Sequence, residues 1–318
     1  MRAVFLDYAT VSFGADLDPG RLRRALPDLT LYDVTEASQV RERLDRQQVA
    51  IINKVELTAE VIVASPALKL IALAATGTNN VELETARARG VAVCNIRDYC
   101  TPSLVQHVFA VLLALTHRLR EYDRALKAGA WEHAAHFTML DFPIRELAGR
   151  TFGIVGFGAL GQSVARVAKS FGMQVLIANR PGGPREPGRL DLEALLPLAD
   201  VLTLHCPITP ATRNMIGERQ LALMKKDAVL INTARGALVD AAALAAALRA
   251  GRLGGAGIDV LAEEPPVHGS PLLAPDLRNL IVTPHIAWAA RESRQRAIDE
   301  VAANVEDFER GGRRGRVA

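Results

Sequence analysis

Cysteine is scarce in this chain: Cys94, Cys100 and Cys206 are the only three among 318 residues. An odd number without metal-ligand spacing offers nothing to a zinc site, so reduced thiols in the cytoplasm, and no metal, are expected. Long apolar runs are absent as well. No stretch approaches the ~20 residues of a membrane span. The strand-like start Met1–Asp7 carries no cleavage pattern, so neither an anchor nor a signal peptide is expected. Charge of one sign is also missing: 38 basic residues face 35 acidic ones, a formal net charge of +3. That balance gives no reason to expect nucleic acid as a partner. The arginine-rich end, Arg310–Arg316, is expected to be a solvated, fraying tail rather than a contact for an acidic partner.

What the chain does have is apolar content of 49% with 23% charged residues, the balance of a soluble globular protein. Its length suggests two domains. Short apolar runs alternate with amphipathic segments from the start, which argues for parallel sheets covered by helices. Strands are expected at Ala3–Leu6, Leu29–Tyr32, Val49–Ile52, Leu70–Ala74 and Val91–Asn95, with helices at Pro19–Leu26, Gln39–Gln47 and Val81–Arg89. Thr101, as N-cap, and Pro102 then open a long apolar helix reaching about Lys127, with a break near His117. Gly129–Arg145 has no period and reads as a loop or arm. The alternation resumes with strands at Thr151–Val155, Gln174–Ala178, Val201–His205, Ala228–Asn232, Gly257–Val260 and Asn279–Thr283. A final helix, Arg291–Arg310, is expected to pack back on the first domain.

Within this frame, Thr151–Phe157 runs straight into the spacing G-x-G-x-x-G at Gly156, Gly158 and Gly161. Gly156 permits the tight turn, Gly158 lets backbone approach a pyrophosphate, and Gly161 lets the next helix pack closely. That helix, expected over Gln162–Phe171, offers free N–H groups and a positive dipole end to phosphates. A plain glycine turn is the alternative. Three polar residues follow at later strand ends, where open parallel sheets bind ligands: Arg235, Glu264 and His285. Singly, each reads as a solvated charge, a loop cap or a packed histidine. Together, beside a glycine turn, they point to a site.

The ordered set Gly156–Gly161, His205-Cys-Pro207, Asn232-Thr-Ala-Arg-Gly236, Asp259…Glu264-Pro265 and Thr283-Pro-His285 resembles the D-isomer-specific 2-hydroxyacid dehydrogenase family, in its glycerate dehydrogenase/hydroxypyruvate reductase branch. Asn53-Lys-Val55 and Ala75-Thr-Gly-Thr-Asn-Asn80 extend the resemblance into the first half. It implies an α/β fold of two doubly wound parallel-sheet domains, flavodoxin-like for substrate and Rossmann for nucleotide, with a cleft between them. Residues 1–100 with 290–318 would form the substrate (catalytic) domain. Residues 101–289 would form the dinucleotide domain with a dimerisation helix and arm, making a homodimer.

The resemblance implies an NAD(P)-dependent oxidoreductase acting on a small 2-hydroxy or 2-oxo acid, such as hydroxypyruvate or glyoxylate. Arg235 would bind the substrate carboxylate bidentately. His285 would be the acid–base residue and Glu264 its partner, favouring the charged ring; the Glu-Pro pattern selects Glu264 over Glu263. Cofactor contacts would come from Gly156, Gly158, Ala159, Leu160 and Gly161, and from Asn179, Arg180, Cys206, Pro207 and Thr212. Thr233, Ala234, Arg235, Asp259 and His285 would complete them, Asp259 holding the nicotinamide carboxamide. Lys54, Val55, Thr76, Gly77 and Trp288 would join Arg235 and His285 around the substrate, Trp288 limiting its size and Lys54 reading equally as a surface lysine.

One position departs from the family. Its NAD-preferring members carry an acid at the end of the second nucleotide-domain strand; this chain has Asn179-Arg180, which favours NADP(H), with NAD(H) as the alternative. Arg185 and Arg189 would assist. Trp131 would either pack beneath the arm or reach a partner subunit. The alternatives to an enzyme of this branch are a non-enzymatic NAD(P)-sensing corepressor-like protein and a short phosphoglycerate dehydrogenase. A form with a regulatory domain is not expected, because the sequence ends at Ala318. The intact Arg–Glu–His set speaks against a sensor, and Glu264 against a formate dehydrogenase.

Overall fold

Two separate parallel sheets organise the computed structural model, which describes residues 1–318. The chain divides into two compact units, Met1–Cys100 with Trp288–Ala318, and Thr101–Ala287.

In the first unit, β1 (Arg2–Phe5), α1 (Gly20–Ala25), β2 (Asp28–Leu31), α2 (Val40–Arg43), β3 (Val49–Ile52), α3 (Ala59–Val63), β4 (Leu70–Leu73), α4 (Leu83–Ala88) and β5 (Ala92–Cys94) alternate along the chain. The sheet order is β2-β1-β3-β4-β5, all parallel, the flavodoxin-like order. Strands β1, β3, β4 and β5 are apolar at every interior position because both faces are covered, while the edge strand β2 exposes Thr30. Ala3, Phe5, Val49, Ile51, Leu70 and Ala72 point into one core layer, and their neighbours Val4, Ala50, Ile52, Ile71 and Leu73 into the other.

The second unit opens with α5 (Thr101–Thr116) and α6 (Leu119–Lys127), separated by Arg118 at φ +53°. The break lies where the sequence places it. The cap differs from expectation: Thr101 is itself the first helical residue, and its buried hydroxyl has no hydrogen-bond partner. After the irregular stretch 129–145 come β6 (Thr151–Val155), α7 (Ala159–Ser170), β7 (Gln174–Ile177), α8 (Leu192–Leu195), β8 (Val201–Leu204), α9 (Glu218–Leu223), β9 (Val229–Asn232), α10 (Ala241–Arg249), β10 (Gly255–Ile258) and β11 (Leu280–Val282). The order is β11-β10-β9-β8-β6-β7, and Leu190 adds a single parallel bridge to Ala178 beyond β7. Counting that bridge as a rudimentary third strand gives 3-2-1-4-5-6-7, the doubly wound order 3-2-1-4-5-6 with one further strand, β11, at its far edge and the reversal between β6 and β8.

Returning to the first unit, α11 (Arg291–Glu309) buries Ala297, Ile298, Val301, Ala302 and Val305 in the layer shared with β1 and α1. The tail beyond it does not fray. Val317 N–H donates to Val93 O (2.8 Å) and Asn95 N–H to Gly315 O (2.9 Å), so the tail pairs antiparallel with the edge strand β5. An edge strand presents unpaired N–H and C=O groups, and these outweigh the arginine-rich composition. No helix is long and apolar enough to cross a membrane.

Candidate active site

The glycine turn lies at the reversal point of the second sheet. Gly156 has φ +97°, and a Cβ there would meet His205 C at 2.5 Å, so only glycine lets β6 and β8 end side by side. A Cβ on Gly161 would overlap the carbonyl oxygen of Gly156. Gly158 is different: nothing lies within 4 Å of its would-be Cβ. α7 starts at Ala159, three residues earlier than expected, with Gly158 as an N-cap that offers no side chain. The N–H groups of Ala159 and Leu160, in the first turn, have no helical carbonyl to bond and lie at a positive helix end. The turn fits a dinucleotide pyrophosphate. A second sign is Thr233 Oγ1, buried and without a hydrogen-bond partner.

Next to this turn an open cavity of about 490 Å³ is lined by Arg180–Pro184, Cys206, Pro207 and Thr209–Thr212. Thr212 Oγ1 is turned inward, donating to Pro207 O (2.8 Å) and accepting from Thr209 N–H (2.7 Å), so it shapes the wall instead of presenting a free hydroxyl. Burial pushes the Cys206 thiol up to about 11. His205 points its Nδ1 into the interior without a partner, its Nε2 lies 3.0 Å from Thr203 Oγ1, and burial pushes it down to about 4.

The residues at 179–191 are arranged differently from the sequence expectation. Both ends of the Asn179 amide are used: Nδ2 donates to Asp191 Oδ1 (2.9 Å) and Oδ1 accepts from Glu186 N–H (3.0 Å). Asn179 thus pins the loop. Arg185 is paired with Asp191 and Arg189 with Glu186 (2.8 Å), so neither is an uncommitted cation. The hydrogen bond from Asn179, with Arg185 nearby, holds the Asp191 carboxyl below its ordinary range. Arg180, exposed on the cavity wall, has no ion pair.

At the carboxyl ends of β9, β10 and β11 the sequence-selected trio is well organised. His285 Nδ1 lies 2.6 Å from Glu264 Oε2, and Glu264 Oε1 accepts from Leu261 N–H (2.8 Å). Glu263 is paired elsewhere, with His268 at 2.6 Å. His285 holds φ +57°, rare for a residue with a side chain. Glu264 takes the Nδ1 edge of the ring, which puts Nε2 on the edge turned away from the carboxylate. Both side chains are about one-third exposed, 30% and 32%.

Arg235 is exposed, its NH1 donating to Ala234 O (2.6 Å). Its turn is held by fully buried Asn232, which donates to Arg235 O (2.8 Å) and accepts from Ala234 N–H (3.1 Å). A Cβ on Gly236 would overlap the Leu261–Ala262 backbone, so glycine lets the arginine turn lie directly on the turn carrying Glu264. Asp259 is only 2% exposed. Its carboxylate accepts from Thr283 Oγ1 (2.6 Å), Ile286 N–H (2.9 Å) and Ala287 N–H (2.9 Å), so it holds the segment that carries His285.

In the first unit the predicted substrate residues sit at strand carboxyl ends. Lys54 and Thr76 are exposed, and Val55 and Gly77 half-buried. The sequence reading missed what fixes them. Asp7, 3% exposed at the end of β1, accepts from the N–H groups of Asn53 (2.9 Å), Lys54 (2.5 Å) and Val55 (3.0 Å). The strand-end rule applied to β1 would have found it. Thr76 Oγ1 donates to Ile96 O (2.8 Å), and Trp288 stands edge-on to Tyr99 with ring centroids 6.2 Å apart.

These features have counterparts in known proteins. A family model described as "D-isomer specific 2-hydroxyacid dehydrogenase, NAD binding domain" matches residues 109–287. The chain belongs to the D-isomer specific 2-hydroxyacid dehydrogenase family. It is 47% identical to a glycerate dehydrogenase of Methylorubrum extorquens over 86% of each chain. It is 34% identical to a hydroxypyruvate reductase of Blautia hydrogenotrophica over 98% of each. A crystal structure of a Thermus thermophilus protein, 35% identical, superposes over 100% of both chains with a TM-score of 0.85. This member is therefore an oxidoreductase that acts on the CH–OH group of 2-hydroxy acids with a nicotinamide dinucleotide.

Proposed function

We propose that this dehydrogenase reduces a short 2-oxo acid, hydroxypyruvate or glyoxylate, with NADPH as the preferred reductant. The observation that carries the reading is the 2.6 Å His285–Glu264 pair on the turn that packs against exposed Arg235. Arg235 binds the substrate carboxylate through its planar fork. The bound dinucleotide supplies the hydride to the keto carbon. His285 Nε2 delivers the proton to the carbonyl oxygen, and in the reverse direction removes it. Glu264, fixed by Leu261 N–H, keeps the ring oriented and balances its charge as imidazolium. A nucleotide sensor without chemistry has no use for such a pair.

In this reading the unit Met1–Cys100 with Trp288–Ala318 handles substrate, through Lys54, Val55, Thr76, Gly77 and Trp288. The unit Thr101–Ala287 holds the dinucleotide. Arg180 meets the 2′-phosphate, since Arg185 and Arg189 are already paired with carboxylates. The free thiols Cys94, Cys100 and Cys206 suit a reducing cytoplasm. The functional form is a homodimer joined through the arm, where Trp131, Phe137 and Leu140 are 55%, 91% and 83% exposed.

A panel of 2-oxo acids assayed with NADH and NADPH tests the chemistry. Hydroxypyruvate or glyoxylate should give the highest kcat/KM, and no reduction of any acid would sink the reading. Arg180→Ala should weaken NADPH binding about tenfold or more and leave NADH binding within twofold; equal effects refute the phosphate contact. Replacing Phe137 and Leu140 with Ser should shift the measured mass from dimer to monomer, and a wild type monomeric at micromolar concentration refutes the arm interface.

A further inference from the structure

We propose that Ser103 and His107, one turn apart on α5, clamp the segment that carries His285 and act as its positioning residues; the catalytic part of this inference rests on the function proposed above. The segment 283–287 must keep His285 at φ +57°, a conformation that a residue with a side chain leaves unless it is held. Asp259 supplies part of the hold through Thr283, Ile286 and Ala287. Thr283 N–H also donates to Ile258 O (3.0 Å), and the helix supplies a side-chain bond at each end.

Thr283 has one hydroxyl hydrogen, and the Asp259 carboxylate, which can only accept, takes it at 2.6 Å. The contact between His107 Nε2 and Thr283 Oγ1, at 3.1 Å, must then run the other way, with Nε2–H donating. His107 Nε2 is 3.6 Å from Asp259 Oδ1, beyond a direct hydrogen bond, so Thr283 relays the contact. At the other end of the segment, Ser103 Oγ donates to Ala287 O at 2.8 Å. Positions i and i+4 lie on one helix face, so α5 grips both ends of the segment from one side.

The rest of that helix buries Leu104, Val108, Val111, Leu112 and Leu115. A hydroxyl 9% exposed and an imidazole 16% exposed are costly in such a face unless their bonds are used. The chain enters this unit at Thr101 and leaves it at Ala287. The Ser103 bond thus ties the entering segment to the leaving one, two residues from His285.

His107→Leu, His107→Gln and Ser103→Ala test the clamp by two readouts. Hydrogen exchange of a peptide spanning 283–288 should quicken about tenfold in His107→Leu, while peptides from β6 and β8 keep wild-type rates. The kcat for hydroxypyruvate should fall about tenfold with KM for NADPH within twofold. His107→Gln, which keeps an N–H donor at the same reach, should recover both. Should His107→Leu fail to fold, Ser103→Ala, which removes one oxygen, is expected to loosen the same peptide. Wild-type exchange and kcat in His107→Leu, or in Ser103→Ala where that variant stands in, overturns the clamp, as does a His107→Gln variant as impaired as His107→Leu. If the wild type reduces no 2-oxo acid, the proposed function falls, and the exchange readout still decides the clamp.

Discussion

His285 is held on every side: its ring by Glu264, its backbone N–H by Asp259 O at 2.8 Å, its neighbours by the Asp259 carboxylate. Removing the imidazole while keeping this scaffold isolates the proton transfer. His285→Gln should lower kcat by about 10²- to 10⁴-fold while the dinucleotide Kd stays within twofold. A parallel loss of dinucleotide affinity, read by fluorescence titration, would mean the histidine binds cofactor instead of moving a proton. At this scale the sequence names the candidate residues and is silent about what holds them. Glu263 and Glu264 are indistinguishable by composition; the Glu-Pro pattern favours Glu264, and the structure sets Glu264 2.6 Å from His285 and Glu263 2.6 Å from His268. The sequence makes Asn179 a candidate cofactor contact, yet its amide is consumed by Asp191 and Glu186 N–H. An eleven-residue loop had to fold back before Asp191, twelve positions on, came into reach.

Among the elements, the turn from β6 into α7 gives the sharpest contrast, because its glycines are required for different reasons. A methyl group on Gly161 meets the Gly156 carbonyl, a backbone atom that cannot swing aside. Gly161→Ala should cost roughly 1–3 kcal/mol of stability, seen as a lowered Tm. A methyl group on Gly158 meets nothing within 4 Å in the protein, so Gly158→Ala should keep its Tm and lose affinity for NADH and NADPH alike. Equal Tm losses in both variants would show that Gly158 serves packing. Strand–helix alternation was legible because buried parallel strands are continuous apolar runs. The five-residue helix α3 was not legible, since it is too short to show a period. The single-residue pairing at Leu190, which completes the doubly wound order, has no local sequence signature at all.

For the whole molecule, acid should be the weak side. His205, at about 4, is neutral in the fold, whereas an unfolded histidine takes a proton near 6.5. Between those values the unfolded state binds more protons, so stability falls as pH drops from about 6.5 to about 4 and is insensitive to this group above that window. The full window is worth at most about 3 kcal/mol. Asp16, held below its ordinary range chiefly by hydrogen bonds from Arg294, adds loss in the same direction. Urea midpoints between pH 7.5 and 4.5 should decline less steeply in His205→Gln than in wild type. Matching slopes would remove His205 as the cause.

The sequence by itself determined the α/β class, the nucleotide turn and the chemical identity of Arg235, Glu264 and His285, because hydrophobic period and glycine spacing are local properties of the chain. The tertiary structure decided the rest. It paired the arginine-rich tail with β5, committed Asn179 and Arg185 to Asp191, gathered Asn53–Val55 onto Asp7 and set His107 against Thr283. Apart from the exposed Arg185–Asp191 pair, those bonds join groups well separated along the chain, where a buried or edge-exposed polar group had to find a partner.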